Sequence, residues 1–127
     1  NEFIGKNALA VEKTIPSNWK FRGIEIEWEP LEKLYNKEGL PPGLPDMAWR
    51  NSTPLYFKKQ QVGYATSGCW SPILKRNIAL AHIQSDFADI GSTLDFEVKI
   101  EHFRHLTPAV VVETPFFNPD RKRSCPR

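Results

Sequence analysis

Ser71, His82, His102 and His105 are the side chains whose chemistry demands a test first. Ser71 ends the run Gly68-Cys69-Trp70-Ser71, and a serine beside glycine suggests a nucleophile. No G-x-S-x-G elbow surrounds it, however, and nothing assigns it His and Asp partners. Ser67 and Ser71 read instead as turn residues whose hydroxyls bond nearby backbone. His102 and His105 are three apart, so on a strand they would face opposite ways, and no Cys or carboxylate cluster completes a tetrahedral metal set. A wet hairpin end around Phe103 accounts for both. His82 shares a face with Ile78 and Leu80 and reads as a core or interdomain histidine, not a catalytic one. Glu25, Glu27 and Glu29 recur at every second residue, which makes a solvated face and not an acid–base pair. Gly63 and Gly68 form neither nucleotide-binding fingerprint. These residues do not compose an autonomous active site.

The elements that must position them are mostly strands. Residues 2–13 have Ile4, Ala8 and Val11 three or four apart with Leu9 alongside, a short helix that Pro16 stops. Period two then takes over, with Ile24, Ile26 and Trp28 alternating with glutamates. Pro30 suits the first turn of a second helix, Leu31, Leu34 and Tyr35 give it an apolar stripe, and Gly39 ends it. The proline-rich stretch 40–45 is a rigid connector. Residues 30–51 form an excursion that packs Leu34, Met47 and Trp49 on the remainder, with partner binding as its other possible use. Beyond it, residues 54–57 and 61–67 flank a Lys58-Lys59-Gln60 hairpin connection. Residues 77–83 follow the Ser71-Pro72 corner. Leu94, Phe96, Val98 and Ile100 alternate with Asp95, Glu97, Lys99 and Glu101, a one-sided strand. Val110, Val111 and Val112 read as a strand buried on both faces. Short strands at this spacing predict a mainly β fold, a small closed antiparallel Greek-key-like barrel with a short N-terminal helix and an inserted helix/loop excursion.

At 127 residues the chain is one domain, able to bury roughly two-thirds of its unfolded surface. Its 12% aromatic and 25% charged residues suit a globular protein. No apolar run approaches the ~20 residues that span a bilayer, and the first residues lack the form of a signal peptide. The expectation is a cytoplasmic protein with no membrane association. Cys69 and Cys125 read as free thiols. The net charge of +2 has its basic excess at the end, in Arg121, Lys122, Arg123 and Arg127, which reads as a solvated tail and not a nucleic-acid footprint.

Four stretches in order carry a family likeness. Residues 62–83 contain Gly63-Tyr64-Ala65-Thr66-Ser67-Gly68-Cys69-Trp70-Ser71-Pro72 ahead of Lys75-Arg76 and Ile78-Ala79-Leu80-Ala81. This run resembles the G-x-x-T-S-G-x-x-S-P segment and I-A-L-A strand of the C-terminal barrel domain in the glycine-cleavage T-protein (aminomethyltransferase) family. Phe3-Ile4-Gly5-Lys6-Asn7-Ala8-Leu9 resembles that family's F-I-G-K-x-A-L lead-in. The stretch 91–98 resembles its G-x-x-L strand. Pro108-Ala109-Val110-Val111-Val112 with Pro115-Phe116-Phe117 resembles its closing element. The stretch 30–51 lies outside the likeness.

The resemblance implies a tetrahydrofolate-dependent aminomethyl- or methyltransferase-like enzyme of one-carbon metabolism, with related folate-dependent demethylases and dehydrogenases. It implies that residues 1–15 are a linker helix from a preceding folate-binding domain and 16–127 the barrel. The first residue is Asn1 and not Met, which fits a fragment. In the family, folate occupies a central channel built mostly by the preceding domains, and the key acidic residue lies there, so this barrel is expected to close the channel and to be inactive alone. Its implied partners are that preceding domain and a small-molecule one-carbon donor. Near its end the family barrel supplies a basic folate contact, for which Arg121 and then Arg123 are the candidates. The second candidate surface is the strand-ending loop with Thr66, Ser67, Gly68, Trp70 and Ser71, facing the folate domain, the ligand or the barrel's own core. The alternative is a stand-alone binding or assembly module that reuses the barrel without folate chemistry. A basic-tailed RNA-binding barrel is a third class.

Overall fold

The structure is a computed structural model that describes residues 2–45, 47–122 and 124. Six antiparallel strands close into a barrel in the order β1-β4-β3-β2-β5-β6. They are β1 (Trp19–Ile26), β2 (Thr53–Phe57), β3 (Gln60–Ser71), β4 (Arg76–Gln84), β5 (Thr93–Ile100) and β6 (Phe103–Val112). The hairpin-linked run β2-β3-β4 with β1 returning beside β4 is a Greek key. The predicted architecture is the observed one.

Alternation fills the interior. Ile24, Leu55, Val62, Ile83, Leu94 and Val111 point inward and lose nearly all solvent contact, while Ala65, Ala79, Ala81 and Ala109 let the walls approach. Leu94, Phe96 and Ile100 of β5 are buried as their spacing predicts. The ring is unevenly joined. β5 and β6 share eight residue pairs, whereas β2 and β5 meet only at Leu55–Phe96 and Tyr56–Asp95.

Several boundaries differ from the expectations. The first helix, α1 (Lys6–Glu12), is shorter than predicted and buries none of its residues. β1 stops at Ile26 because the Glu27 N–H donates to the Pro108 carbonyl (3.0 Å) and the chain turns there into α2 (Trp28–Lys37). Trp28 is therefore helical and not the next strand residue. Leu31 of α2 is buried against the barrel, and Gly39 follows the helix at φ +69°, the left-handed conformation that glycine adopts freely. Of the three excursion side chains expected to pack, Leu34 and Trp49 are half-buried but Met47 is 75% exposed. In the valine run only Val111 is fully buried, because Val110 and Val112 point to the outer face.

Gly68 lies inside β3, not in a strand-ending turn. The strand continues to Ser71, bent by an irregularity at Thr66 between Ala65 and Ser67. The turn itself is at residues 72–75. Two further connections carry non-glycine residues at positive φ, Lys58 and Lys59 between β2 and β3, and Glu101 and His102 between β5 and β6.

Candidate functional site

The end of β3 is held by the excursion. Trp49 and Gly68 exchange both backbone bonds, with N–H to carbonyl distances of 2.9 and 3.2 Å. The Trp49 ring lies so close that a Cβ on Gly68 would stand 2.5 Å from its nearest carbon. Only glycine fits there without displacement. Trp70 meets Trp28, the first residue of α2, at a centroid distance of 5.2 Å and a tilt of 56°. The hydroxyls nearby serve the backbone. Thr66 Oγ1 donates to the Leu80 carbonyl (3.3 Å) and Ser71 Oγ accepts from the Leu74 N–H (3.3 Å). Ser67 sits opposite Leu80 on β4. Ser71 thus organises the Ser-Pro corner, as expected of a turn serine.

After β6 the chain crosses the outside of β1. The Phe116 ring rests on Gly23, where an added Cβ would stand 2.5 Å from it. The Ser-Pro corner and this crossing segment line one open cleft of about 410 Å³, with Ile73, Leu74 and Arg76 on one side and Glu113 and Phe116 on the other. At its floor Arg76 Nη1 donates to Glu25 Oε2 at 2.6 Å. Glu25 was expected on a solvated face. It does stand on the outer face, partly exposed, where it pairs with a cation on the neighbouring strand that only the β1–β4 register brings near. Arg121 follows, exposed in the short 3-10 turn Asp120–Lys122. Its neighbour Lys122 donates to the Phe117 carbonyl (2.8 Å) and lies 5.7 Å from the Phe117 ring centroid. Arg123 lies outside the described residues. Arg121 lines neither this cleft nor the cavity of about 370 Å³ beneath α2. Arg121 thus stands in solvent apart from both hollows, one of several exposed arginines with Arg50, Arg76 and Arg104.

Of the three histidines only His102 sits where it was expected, at a wet hairpin end; His105 stands within β6 and His82 outside the core. His102 is exposed in the β5–β6 turn, and His105 is half-buried with its Nε2 lacking a partner. Among the described residues no group of three or more His, Cys, Asp or Glu could hold a metal ion. His82 lies on the outer wall between Phe21 (5.1 Å) and Tyr64 (5.4 Å). Among the described residues no helix is long and apolar enough to cross a membrane.

A family profile described as the glycine cleavage T-protein C-terminal barrel domain matches residues 39–118, well over half of the chain. The chain belongs to this barrel family. Curated relatives of the T-protein barrel include the aminomethyltransferase of Prochlorococcus marinus (strain NATL2A), 30% identical over 117 residues, which are 92% of this chain and 26% of that protein. The aminomethyltransferase of Bacillus subtilis (strain 168) is 31% identical with the same two coverages. The chain thus spans about a quarter of the length of these relatives. The solved structure of the glycine cleavage system aminomethyltransferase T from Bartonella henselae superposes with a TM-score of 0.62 at 14% identity, over 89% of this chain and 26% of that one. At that identity the likeness speaks for the fold, and it is the fold that the strands here form.

Proposed function

We propose that this T-protein barrel works as the C-terminal part of a tetrahydrofolate-dependent aminomethyl- or methyltransferase-like enzyme, closing a folate channel whose walls come mostly from elsewhere. The observation that carries the reading is that family membership extends over a chain only a quarter as long as its aminomethyltransferase relatives. The site geometry is consistent with it. Thr66 and Ser71 are committed to backbone bonds, and Gly68 and Trp70 are packed against Trp49 and Trp28. None of them is poised as a nucleophile or base.

In this role the barrel supplies rigidity and one charge. Arg121 stands in solvent with a planar, permanently charged fork suited to a carboxylate. When bound, the folate would supply the nitrogen nucleophile for one-carbon transfer. This chain would orient its acidic end through Arg121 and help exclude water from one side of the channel.

Calorimetric titration of 5-formyltetrahydrofolate into the chain tests this. Absent or millimolar binding is expected of a closing domain without its partner. Micromolar binding lost in Arg121→Ala would put a complete folate site within these residues and overturn the reading.

A further inference from the structure

The thin joint between β2 and β5 leaves a slot in the barrel wall. These strands pair only at Leu55–Phe96 and Tyr56–Asp95, while β5 stays paired with β6 out to Ile100–Phe103. Counting on from that joint, positions 54 and 52 would face Glu97 and Lys99. Pro54 has no N–H to offer, and the chain before it keeps to β3, with Thr53 opposite Ala65 and Trp49 opposite Gly68. Among the described residues no backbone bond joins residues 49–54 to Glu97–Ile100. The cavity of about 370 Å³ beneath α2 is this slot, with residues 51–54 on one lip and residues 96–99 on the other.

Pro108 shows which way the β5 backbone points. It lies opposite Asp95, lacks an N–H, and gives its carbonyl to the Glu27 N–H at 3.0 Å, on the side away from β5. The Asp95–Pro108 pair therefore exchanges no ladder bond. Alternation along an antiparallel pair then turns the N–H and C=O of Asp95, Glu97 and Lys99 toward β2. Asp95 finds Tyr56 there. Glu97 and Lys99 find no strand, so two donors and two acceptors face the slot at the spacing of a strand edge. Such an edge is a template for another chain.

The surrounding side chains define what that chain must carry. Leu31 and Tyr35 of α2, with Trp49, Phe96 and Val98, make an apolar and mostly aromatic floor, and a residue opposite Val98 would stand over it. On the outer face Lys99 is exposed and has no ion pair among the described residues. Glu97 is already answered, by Arg104 at 3.8 Å and the Tyr56 hydroxyl at 3.4 Å. The hollow is at the small end of ligand pockets, with room for one large side chain and the backbone that bears it.

We infer that this slot takes a short extended peptide by strand addition to β5. The peptide runs antiparallel, the stronger pairing, with a carboxylate residue opposite Lys99, a large apolar residue opposite Val98 and an uncharged residue opposite Glu97. Its main chain bonds to Glu97 and Lys99, and its apolar side chain fills the hollow over Tyr35 and Trp49. Because the slot closes at Leu55–Phe96, the C-terminal end of the peptide stops there. This occupant goes beyond the folate role proposed above and does not depend on it.

The probe is acetyl-Val-Glu-Phe-Thr-amide, titrated into the isotope-labelled chain and followed by NMR. Saturable amide shifts are expected at residues 51–53 and 97–100 with a Kd below about 1 mM. Exchange of the Glu97 and Lys99 amides should slow at least about tenfold at saturation. Methylating the backbone nitrogen of the probe's glutamate removes the N–H aimed at Lys99 and should weaken binding at least about tenfold. Lys99→Glu is an exposed change expected to leave the melting temperature within about 2 °C. It should weaken the probe at least about fivefold, and acetyl-Val-Lys-Phe-Thr-amide should recover the affinity on that variant.

No saturable shift up to about 5 mM probe, shifts centred elsewhere on the barrel, or equal binding of the methylated probe overturns strand addition. Equal binding of acetyl-phenylalanine-amide refutes it too, since the hollow would then take a small molecule and not a peptide. If exchanging the two charges fails to restore binding, the carboxylate opposite Lys99 is wrong.

Discussion

Substituting Gly68 by alanine isolates the contact that ties the excursion to the barrel. The new methyl would lie 2.5 and 2.7 Å from two carbons of the Trp49 ring and 2.8 Å from the Ala79 Cβ, all closer than real Cβ atoms approach. Ala79 is part of the packed wall and cannot retreat. The Trp49 ring can move only by disturbing the pair of backbone bonds that join residues 49 and 68. Overpacking of this kind costs about 1–3 kcal/mol. With three short contacts and a pinned ring the upper half applies, about 2–3 kcal/mol, or roughly 6–12 °C in melting temperature for a domain of this size. Urea denaturation followed by tryptophan fluorescence and circular dichroism measures it. Combined with Trp49→Ala, which removes the obstructing ring, the substitution should cost no more than about 0.5 kcal/mol beyond Trp49→Ala alone. If Gly68→Ala lies within about 0.5 kcal/mol of the natural chain, or if the two effects simply add, the close packing described here is wrong.

Lys58 and Lys59 occupy a two-residue hairpin turn at φ 47° and 70°, where Asn-Gly is preferred. Lys58→Asn/Lys59→Gly should therefore stabilise the chain by about 1–2 kcal/mol, read as a higher urea midpoint at unchanged slope. Ile24 of β1 is fully buried, and Ile24→Ala should cost about 2–5 kcal/mol in the same assay. The Glu25–Arg76 pair is short, but the arginine side chain is 59% exposed. Glu25→Ala should cost less than about 1 kcal/mol, and half-molar salt should erase most of the difference.

What was legible in the sequence followed from periodicity. Leu94 and Phe96 against Asp95 and Glu97 marked both the strand and its inner face, and Pro30 with Gly39 bracketed α2 closely. What was not legible depended on partners distant in sequence. Period two ran on from Ile26 to Trp28, and only the Pro108 carbonyl explains why the strand ends first. Gly68 looked like a turn because nothing local reveals that its missing side chain makes room for Trp49. The three valines looked buried on both faces because β-branched composition does not tell a covered outer wall from an inner one. The pairing of Glu25 with Arg76 was hidden as well, since strand register fixes it. Of the candidate site, the local role of Ser71 was readable. The place of His82 between Phe21 and Tyr64 was not, since the three come from three strands that only the Greek key brings together.

The two-pair joint between β2 and β5 has a kinetic meaning. A closed ring opens where its ladder is thinnest, and every other neighbouring pair of strands here shares at least four residue pairs. The β2–β4 meander and the β5–β6 hairpin each close contacts near in sequence, so these two pieces are the ones expected to form first. Zipping Leu55 to Phe96 and Tyr56 to Asp95 then joins them along one side, while β1 joins β4 to β6 along the other. The same joint is where breathing motions of the finished barrel would begin.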